Sequence, residues 1–162
     1  MLGKKSVYAL HALLHLAKQK EGEPVGVAAL ALHMGCSKKF LEHIRAALKE
    51  AGCVQAKSGR TGGYLLAQSP EKMSVADVVR LFEGPIALKA CASHRFFTPC
   101  PECTSPDLCG LRDGLTEARN AMVDTLKSLT LFNLVARENN LREGSKILTL
   151  PTPYRRTFAK KS

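Results

Sequence analysis

Four of the six cysteines in this 162-residue chain fall within "CASHRFFTPCPECTSPDLCG", residues 91–110. They are Cys91, Cys100, Cys103 and Cys109, and three prolines keep the stretch from forming one helix. Thiolates brought together on irregular backbone are suited to binding a metal, or to switching between dithiol and disulfide. Cys100-x2-Cys103 is a familiar zinc step, but a zinc ribbon pairs two such steps and this chain has one. A disulfide framework fits a secreted chain better. Residues 1–17, "MLGKKSVYALHALLHLA", hold two histidines and no small-residue cleavage site, and their apolar run is short and interrupted. The expectation is a cytoplasmic protein with reduced thiols. Cys36 and Cys53 stand apart and read as small, buried apolar residues. Arg95, between Cys91 and Cys100, and Arg112, just beyond Cys109, favour the thiolate form.

The elements that must position these thiols can be read from the spacing of apolar residues. Val7, Leu10, Leu14 and Ala17 recur at helical steps over residues 6–20. A second, shorter helix covers 27–34. Gly35 suits its C-cap, and Ser37 suits the N-cap of a third helix over 38–51 that buries Leu41, Ile44 and Leu48. Two short strand-like runs then surround the glycine-rich "SGRTGG". Helix, turn, helix and hairpin is the order of a winged helix. "MSVADVVRLFEG" is a fourth helix, capped by Ser74 and stopped by Gly84-Pro85. Beyond the cysteines, Leu111, Leu115, Ala118, Met122, Thr125, Leu129 and Phe132 alternate steps of four and three. That heptad-like seam predicts one long helix over 111–139 that pairs with a second copy, with folding back onto the N-terminal domain as the plainer alternative. The fold class is therefore mainly α with a small β-hairpin wing: a winged helix-turn-helix plus a long dimerisation helix. The division is 1–84 for the winged domain, 85–110 for the cysteine-rich loop, 111–140 for the dimerisation helix and 141–162 for a basic tail expected to be disordered.

Charge points to an anionic partner. The formal net charge is +10. Lys and Arg outnumber Asp and Glu by 10 to 4 in residues 1–60 and by 6 to 1 in residues 142–162, whereas the middle is balanced. Nucleic acid is the first expectation and an acidic membrane the second. In a helix-turn-helix the second helix enters the major groove by its N-terminal end. Here that end is Ser37, Lys38, Lys39 and Phe40, with His43 and Arg45 further along. Two lysines oppose the dipole of an isolated helix and make sense if phosphate arrives there. Arg60 sits at the hairpin tip, where it could enter a minor groove, and Thr61, Gly62 and Gly63 could meet phosphate. An ordinary solvated helix face and an idle turn are the plainer readings of the same residues.

The segment "CSKKFLEHIRAALKEAGCVQAKSGRTGGYLLAQSPEKMSVADVVRLFEG" resembles the core of the Rrf-two family of bacterial winged-helix transcriptional regulators. Ser37, Leu41-Glu42, Ile44, Leu48, Ala51-Gly52, Val54, Gly59, Gly62-Gly63-Tyr64, Leu66-Ala67, Pro70 and Asp77-Val78 carry the likeness, and "ALHALLHLA" resembles the family's first helix. Ser58 stands where the wing usually has arginine, and Arg60 could supply that charge. The resemblance implies a homodimer that binds an operator on double-stranded DNA and usually represses. It also implies an iron–sulfur cluster, because members such as the iron–sulfur cluster regulator carry three ligating cysteines in this loop. Cys103-x5-Cys109 matches the family's last step and Cys91 the place of the first, with Cys100 as fourth or alternative ligand. Some relatives use a histidine three residues after the last cysteine, where this chain has Arg112. His94, or His11 and His15 of a partner's first helix, are the other candidates for the fourth position.

The function expected is regulation of transcription, with operator binding governed by a cluster that senses iron, redox state or nitric oxide. The alternatives are zinc, a thiol switch or cysteines with no such role. A redox accessory protein or an adaptor that binds protein rather than DNA are the rivals of another class. The chain shows no nucleotide-binding glycine motif and no nucleophile–base pair, so it does not read as an enzyme.

Overall fold

The computed structural model describes residues 2–59 and 62–144, so the expected disorder of the basic tail concerns residues that lie almost wholly outside those described. The element order is α1 (Lys4–Ala17), α2 (Val27–His33), α3 (Lys38–Glu50), β1 (Val54–Lys57), β2 (Gly63–Leu66), α4 (Val75–Glu83), α5 (Gly110–Ser128) and α6 (Leu131–Arg142). Helix starts follow local chemistry. Ser37 Oγ accepts from Phe40 N at 3.2 Å, and Ser74 Oγ accepts from Asp77 N at 3.2 Å while donating to Asp77 Oδ2 at 2.6 Å. Gly35, Gly52 and Gly84 take the positive φ that ends α2, α3 and α4.

The core lies where α1 crosses α4, α3 and α6. Ala9 and Ala76 are fully buried, and small side chains at these places let the helices approach closely. Leu13, Leu41, Ile44 and Leu131 are each at most 2% exposed, so each contributes on the order of 1.5–3 kcal/mol of burial. Glu83 pins α4 to the start of α1 by accepting from Gly3 N at 2.8 Å and from the Ser6 hydroxyl. β1 and β2 pair antiparallel, Val54 opposite Leu66 and Lys57 opposite Gly63. Val25 adds a short third rung, exchanging two backbone hydrogen bonds of 2.9 Å with Tyr64.

The long helix expected over 111–139 is two helices. Leu129 and Thr130 leave the helical path because their backbone pairs with the segment before α4. Val75 N donates to Leu129 O at 2.8 Å, and Leu131 N donates to Met73 O at 3.0 Å. Thr130 Oγ1 then caps α6 by accepting from Asn133 N at 3.2 Å. The apolar seam is split accordingly. Leu115, Met122 and Leu129 are half-buried within the chain, while Leu111, Ala118, Thr125 and Phe132 face out. α6 folds back on α1, as the plainer alternative has it for this second half, and Lys18 pairs with Glu138 across them.

α1 and α2 also bring two imidazoles together: the rings of His15 and His33 lie 4.3 Å apart, tilted by 50°. Burial, then the positive charges of His33 and Lys18, hold the His15 pKa below its ordinary value. His11 and Glu138 line the same cleft. A depressed folded-state pKa means that the unfolded chain takes up this proton first as pH falls. Stability is therefore expected to fall as pH drops below the ordinary histidine value of about 6.5. The urea midpoint should fall between pH 7.5 and pH 5.5 by more in the parent protein than in His15→Gln. Equal losses would show that the pair does not govern this window. Glu83, whose carboxyl pKa is lowered first by the Ser6 hydroxyl and then by the Gly3 amide, loses its contribution only at lower pH, in the carboxylate range.

Candidate functional site

The end of α3 expected to meet DNA is open. Ser37, Lys38 and Lys39 are exposed, and His43 is exposed one turn beyond Lys39 on the same face. Lys38 Nζ stands 3.9 Å from Glu42 Oε1, a loose surface pair that leaves it free to turn toward a phosphate. Two of the expected contacts are placed differently. Phe40 is half-buried and packs edge-on against Tyr8 at 5.3 Å, which fastens α3 to α1. Arg45 is half-buried, lies 4.5 Å over the Tyr64 ring and donates to the Tyr64 hydroxyl, so it joins α3 to the wing. Helical spacing places both at the edges of the Leu41/Ile44/Leu48 stripe, one turn from Ile44 and Leu41 respectively, and Tyr8 and Tyr64 cover them there.

The wing is held at its base. Gly62 N donates to Gly59 O at 2.9 Å, and Gly59 has a φ of +123°. A side chain on Gly62 would come within 2.6 Å of Lys57 O, and one on Gly63 within 2.5 Å of the Val25 carbonyl. Both glycines are thus required by close backbone approach. Ser58 is exposed beside the tip. Arg60 and Thr61 lie outside the described residues, so their expected contacts rest on their place between Gly59 and Gly62.

The cysteine loop is organised by Arg112, in the first turn of α5. Its Nε donates to Cys91 O at 3.1 Å, its Nη1 donates to Pro106 O at 3.2 Å, and its guanidinium lies 5.2 Å from the Phe97 ring centroid. One side chain thus clasps both ends of the loop. The residue that stands where some relatives have a ligating histidine is here a structural tie. Cys109 is the N-cap of α5: its Sγ accepts from Arg112 N at 3.5 Å. That amide, first among the causes, lowers the Cys109 pKa. Partial withdrawal from water, followed by a hydrogen bond to Cys109, raises that of its neighbour Cys103. Cys100 lies close enough for its charge to be felt at Cys103, and Cys103 N donates to Cys100 O at 3.1 Å. Cys91 is buried in the turn Ala90–Ala92 and shares the clasp through its carbonyl rather than its thiol.

The donor chemistry suits a soft metal or cluster: three neighbouring thiols, one of them biased to thiolate at a helix N-terminus. Convergence is partial. Among the described residues no three His, Cys, Asp or Glu side chains already stand in a metal-holding arrangement. His94 is exposed at the loop's edge and His11 is exposed on α1. Cys36 and Cys53 are half-buried, and burial raises the Cys53 pKa. No helix among the described residues is long and apolar enough to cross a membrane. Sequence reasoning missed the capping role of Cys109. The available signal was its position three residues before Arg112, at the start of a helical pattern.

Comparison with known proteins agrees with this fold. Residues 2–137 match the Rrf2 family model, described as an iron-dependent transcriptional regulator. An rrf2-like HTH-type transcriptional regulator of Rhodobacter capsulatus is 35% identical over 142 residues, covering 86% of this chain and 95% of its own. The HTH-type transcriptional regulator NsrR of Bacillus licheniformis is 29% identical, covering 84% of this chain and 92% of its own. The structure of CymR, the global cysteine regulator of B. subtilis, superposes with a TM-score of 0.70 at 27% identity, over 85% of this chain and 97% of that one. T. potens IscR shares the fold, with a TM-score of 0.66 at 23% identity over 95% of this chain and 96% of that one.

Proposed function

The chain belongs to the Rrf2 family of transcriptional regulators, and on that premise we propose a homodimeric operator-binding repressor controlled by an iron–sulfur cluster in the 91–110 loop. A regulator of transcription is not an enzyme, and the redox-accessory alternative falls away with that membership. The observation that carries the proposal is the Cys109 thiol capping the start of α5, in a turn that Arg112 clasps to the Cys91 turn. Cys103 and Cys109 would hold the group, with Cys100 and Cys91 completing the set. When bound, the cluster supplies iron–thiolate bonds that respond to iron supply, oxidation and nitric oxide.

The chain's own residues would do the rest. Cys109 caps α5, so a pull on its sulfur acts directly on that helix. α5 packs on α4, and α4 on α1, within the winged domain. Leu111, Ala118 and Thr125 present an outward stripe on α5 for the second copy. A change in the loop therefore has a route to the spacing of two reading heads in the cytoplasm. Lys38, Lys39 and His43 of each head would meet the major groove. Ser58, Arg60, Thr61, Gly62 and Gly63 would meet the adjacent backbone or minor groove.

The salt dependence of duplex binding tests the reading head. Each lysine that neutralises a phosphate adds about 0.9 to the slope of log K against log salt. Lys38→Ala/Lys39→Ala is expected to flatten the slope by about 1.8 per head. A flat slope in the parent protein would favour the adaptor rival. A second reading is a thiol switch between Cys103 and Cys109, the more acidic of the two: an external oxidant would take up two electrons as both thiols lose their protons and the S–S bond forms. Iron and sulfide assays of anaerobically purified protein separate the two readings. A zinc content of one per subunit would favour the runner-up metal.

A further inference from the structure

A cleft of about 750 Å³ lies where α4, the loop after it and α5 meet, within the usual range for small-ligand sites of ~300–1,000 Å³. Its charge is one-sided. Arg80 comes from α4, Arg95 from the loop, and Arg119 and Lys127 from α5, against a single acid, Asp77. Asp77 is already engaged: it caps α4 with Ser74 and stands 3.4 Å from Arg80. Arg119 is fixed in place, its Nε donating to Ile86 O at 3.2 Å and its Nη1 to Asn120 Oδ1 at 2.8 Å. Neither Arg95 nor Lys127 pairs with a carboxylate among the described residues. An ordinary basic surface intersperses acids and leaves its long side chains free. This one gathers four cations from three separate elements around a concavity and anchors two of them in advance.

The wall is also partly apolar. Phe96 is 63% exposed at the cleft, beside Pro85 and Ile86. Guanidinium forks match planar oxyanions, and an exposed aromatic ring next to them suits a carbon skeleton. No lining residue belongs to α3 or the wing, and none is a cysteine. The cleft is thus separate from the reading head, while its Ser93–Phe96 edge, with His94, belongs to the loop that carries the thiols.

We propose that this cleft binds a small organic dianion, a phosphomonoester or a dicarboxylate, and that the ligand ties α4 to α5. Because α4 belongs to the winged domain and α5 to the dimerisation arm, such a ligand would be a second input to the regulator, coupled to DNA binding through the same joint as the loop. The proposal extends the function above, but its first test does not depend on it.

Isothermal titration of the full chain, without DNA, with glycerol 3-phosphate and separately with succinate, provides that test, with sodium chloride at matched ionic strength as the control. One probe is expected to give a saturable heat that sodium chloride does not. Arg95 and Lys127 are both exposed and make no side-chain hydrogen bond among the described residues, so Arg95→Gln/Lys127→Gln should fold normally. It is expected to bind that probe roughly tenfold or more weakly, as loss of charge-assisted contacts requires. Lys38→Ala/Lys39→Ala should bind it unchanged. Absence of saturable heat with both probes, or equal affinity in Arg95→Gln/Lys127→Gln, would overturn the site. So would loss of duplex affinity in that variant with no change in probe binding, which would make the cleft a DNA contact.

Discussion

Gly63→Ala is expected to destabilise the protein by about 2–4 kcal/mol, from two lost backbone hydrogen bonds and the strain of a clash that cannot relax locally. The added methyl would sit 2.5 Å from both C and O of Val25 and 2.9 Å from Gly26 N. All three are backbone atoms, so no flexible side-chain end can move aside. To make room, β2 must leave Val25, which breaks the reciprocal bonds between Val25 and Tyr64. Tyr64 is also the residue that holds the Arg45 guanidinium, so the strand's displacement loosens α3 from the wing. Duplex affinity should fall by more than about tenfold, the equivalent of 1.4 kcal/mol at the reading surface. Gly114→Ala is the matched control. Its methyl meets nothing within 4 Å in the single chain, and it should stabilise the helix by roughly 0.5–1 kcal/mol; lying on the Leu111/Ala118 face, it is a control for stability and not for duplex affinity. Urea denaturation of the two variants reads both signs. A Gly63→Ala protein as stable as the parent would show that the Val25 rung does not hold the wing.

That close approach illustrates which features a sequence can disclose. Ser37 and Ser74 announce their helices because an N-cap is a bond between residues three apart, and both bonds are present. The wing is legible because glycines bracket two short alternating runs, although the reason for Gly63 lies 38 residues earlier, at Val25. The same limit explains the broken seam. Spacing along 111–132 registers only local periodicity, and a straight helix satisfies it. The break at Leu129–Thr130 is imposed by backbone groups at Met73 and Val75, more than fifty residues away. Thr130 did carry a local hint, being a good N-cap residue in the middle of an apolar pattern. Among the site residues, Lys38, Lys39 and His43 are open as their positions on the third helix imply. Phe40 and Arg45 are one turn from the buried Ile44 and Leu41, a sign of partial burial in the spacing itself, and ring partners on other elements complete it. The clasp by Arg112 was illegible for a further reason: both acceptors are carbonyl oxygens, and every residue has one.

Cys109→Ser is expected to keep the fold and lose the metal. Cys109 has two roles that one substitution can separate. As the N-cap of α5 it accepts from Arg112 N, and serine is the better cap, so helix stability should hold or rise by a few tenths of a kcal/mol. As a ligand it would offer a thiolate favoured by that same amide, and a serine hydroxyl is neither soft nor ionised at neutral pH. Anaerobically purified Cys109→Ser should therefore retain roughly tenfold less iron and sulfide than the parent, with a urea midpoint equal to or slightly above that of the parent stripped of metal. Cys109→Ala should lose the metal equally and, in addition, on the order of 0.5–1 kcal/mol of stability from the missing cap. The contrast between the serine and alanine variants isolates the ligand from the cap. Cys36→Ser, in the turn before α3, should leave metal content untouched. Cys100→Ser sorts the set further: full retention would leave Cys91, Cys103 and Cys109 as the sufficient ligands, and loss would make Cys100 one of them. Should Cys109→Ser retain its full iron and sulfide, the group is held elsewhere, and the thiol pair at the head of α5 becomes a redox switch without metal.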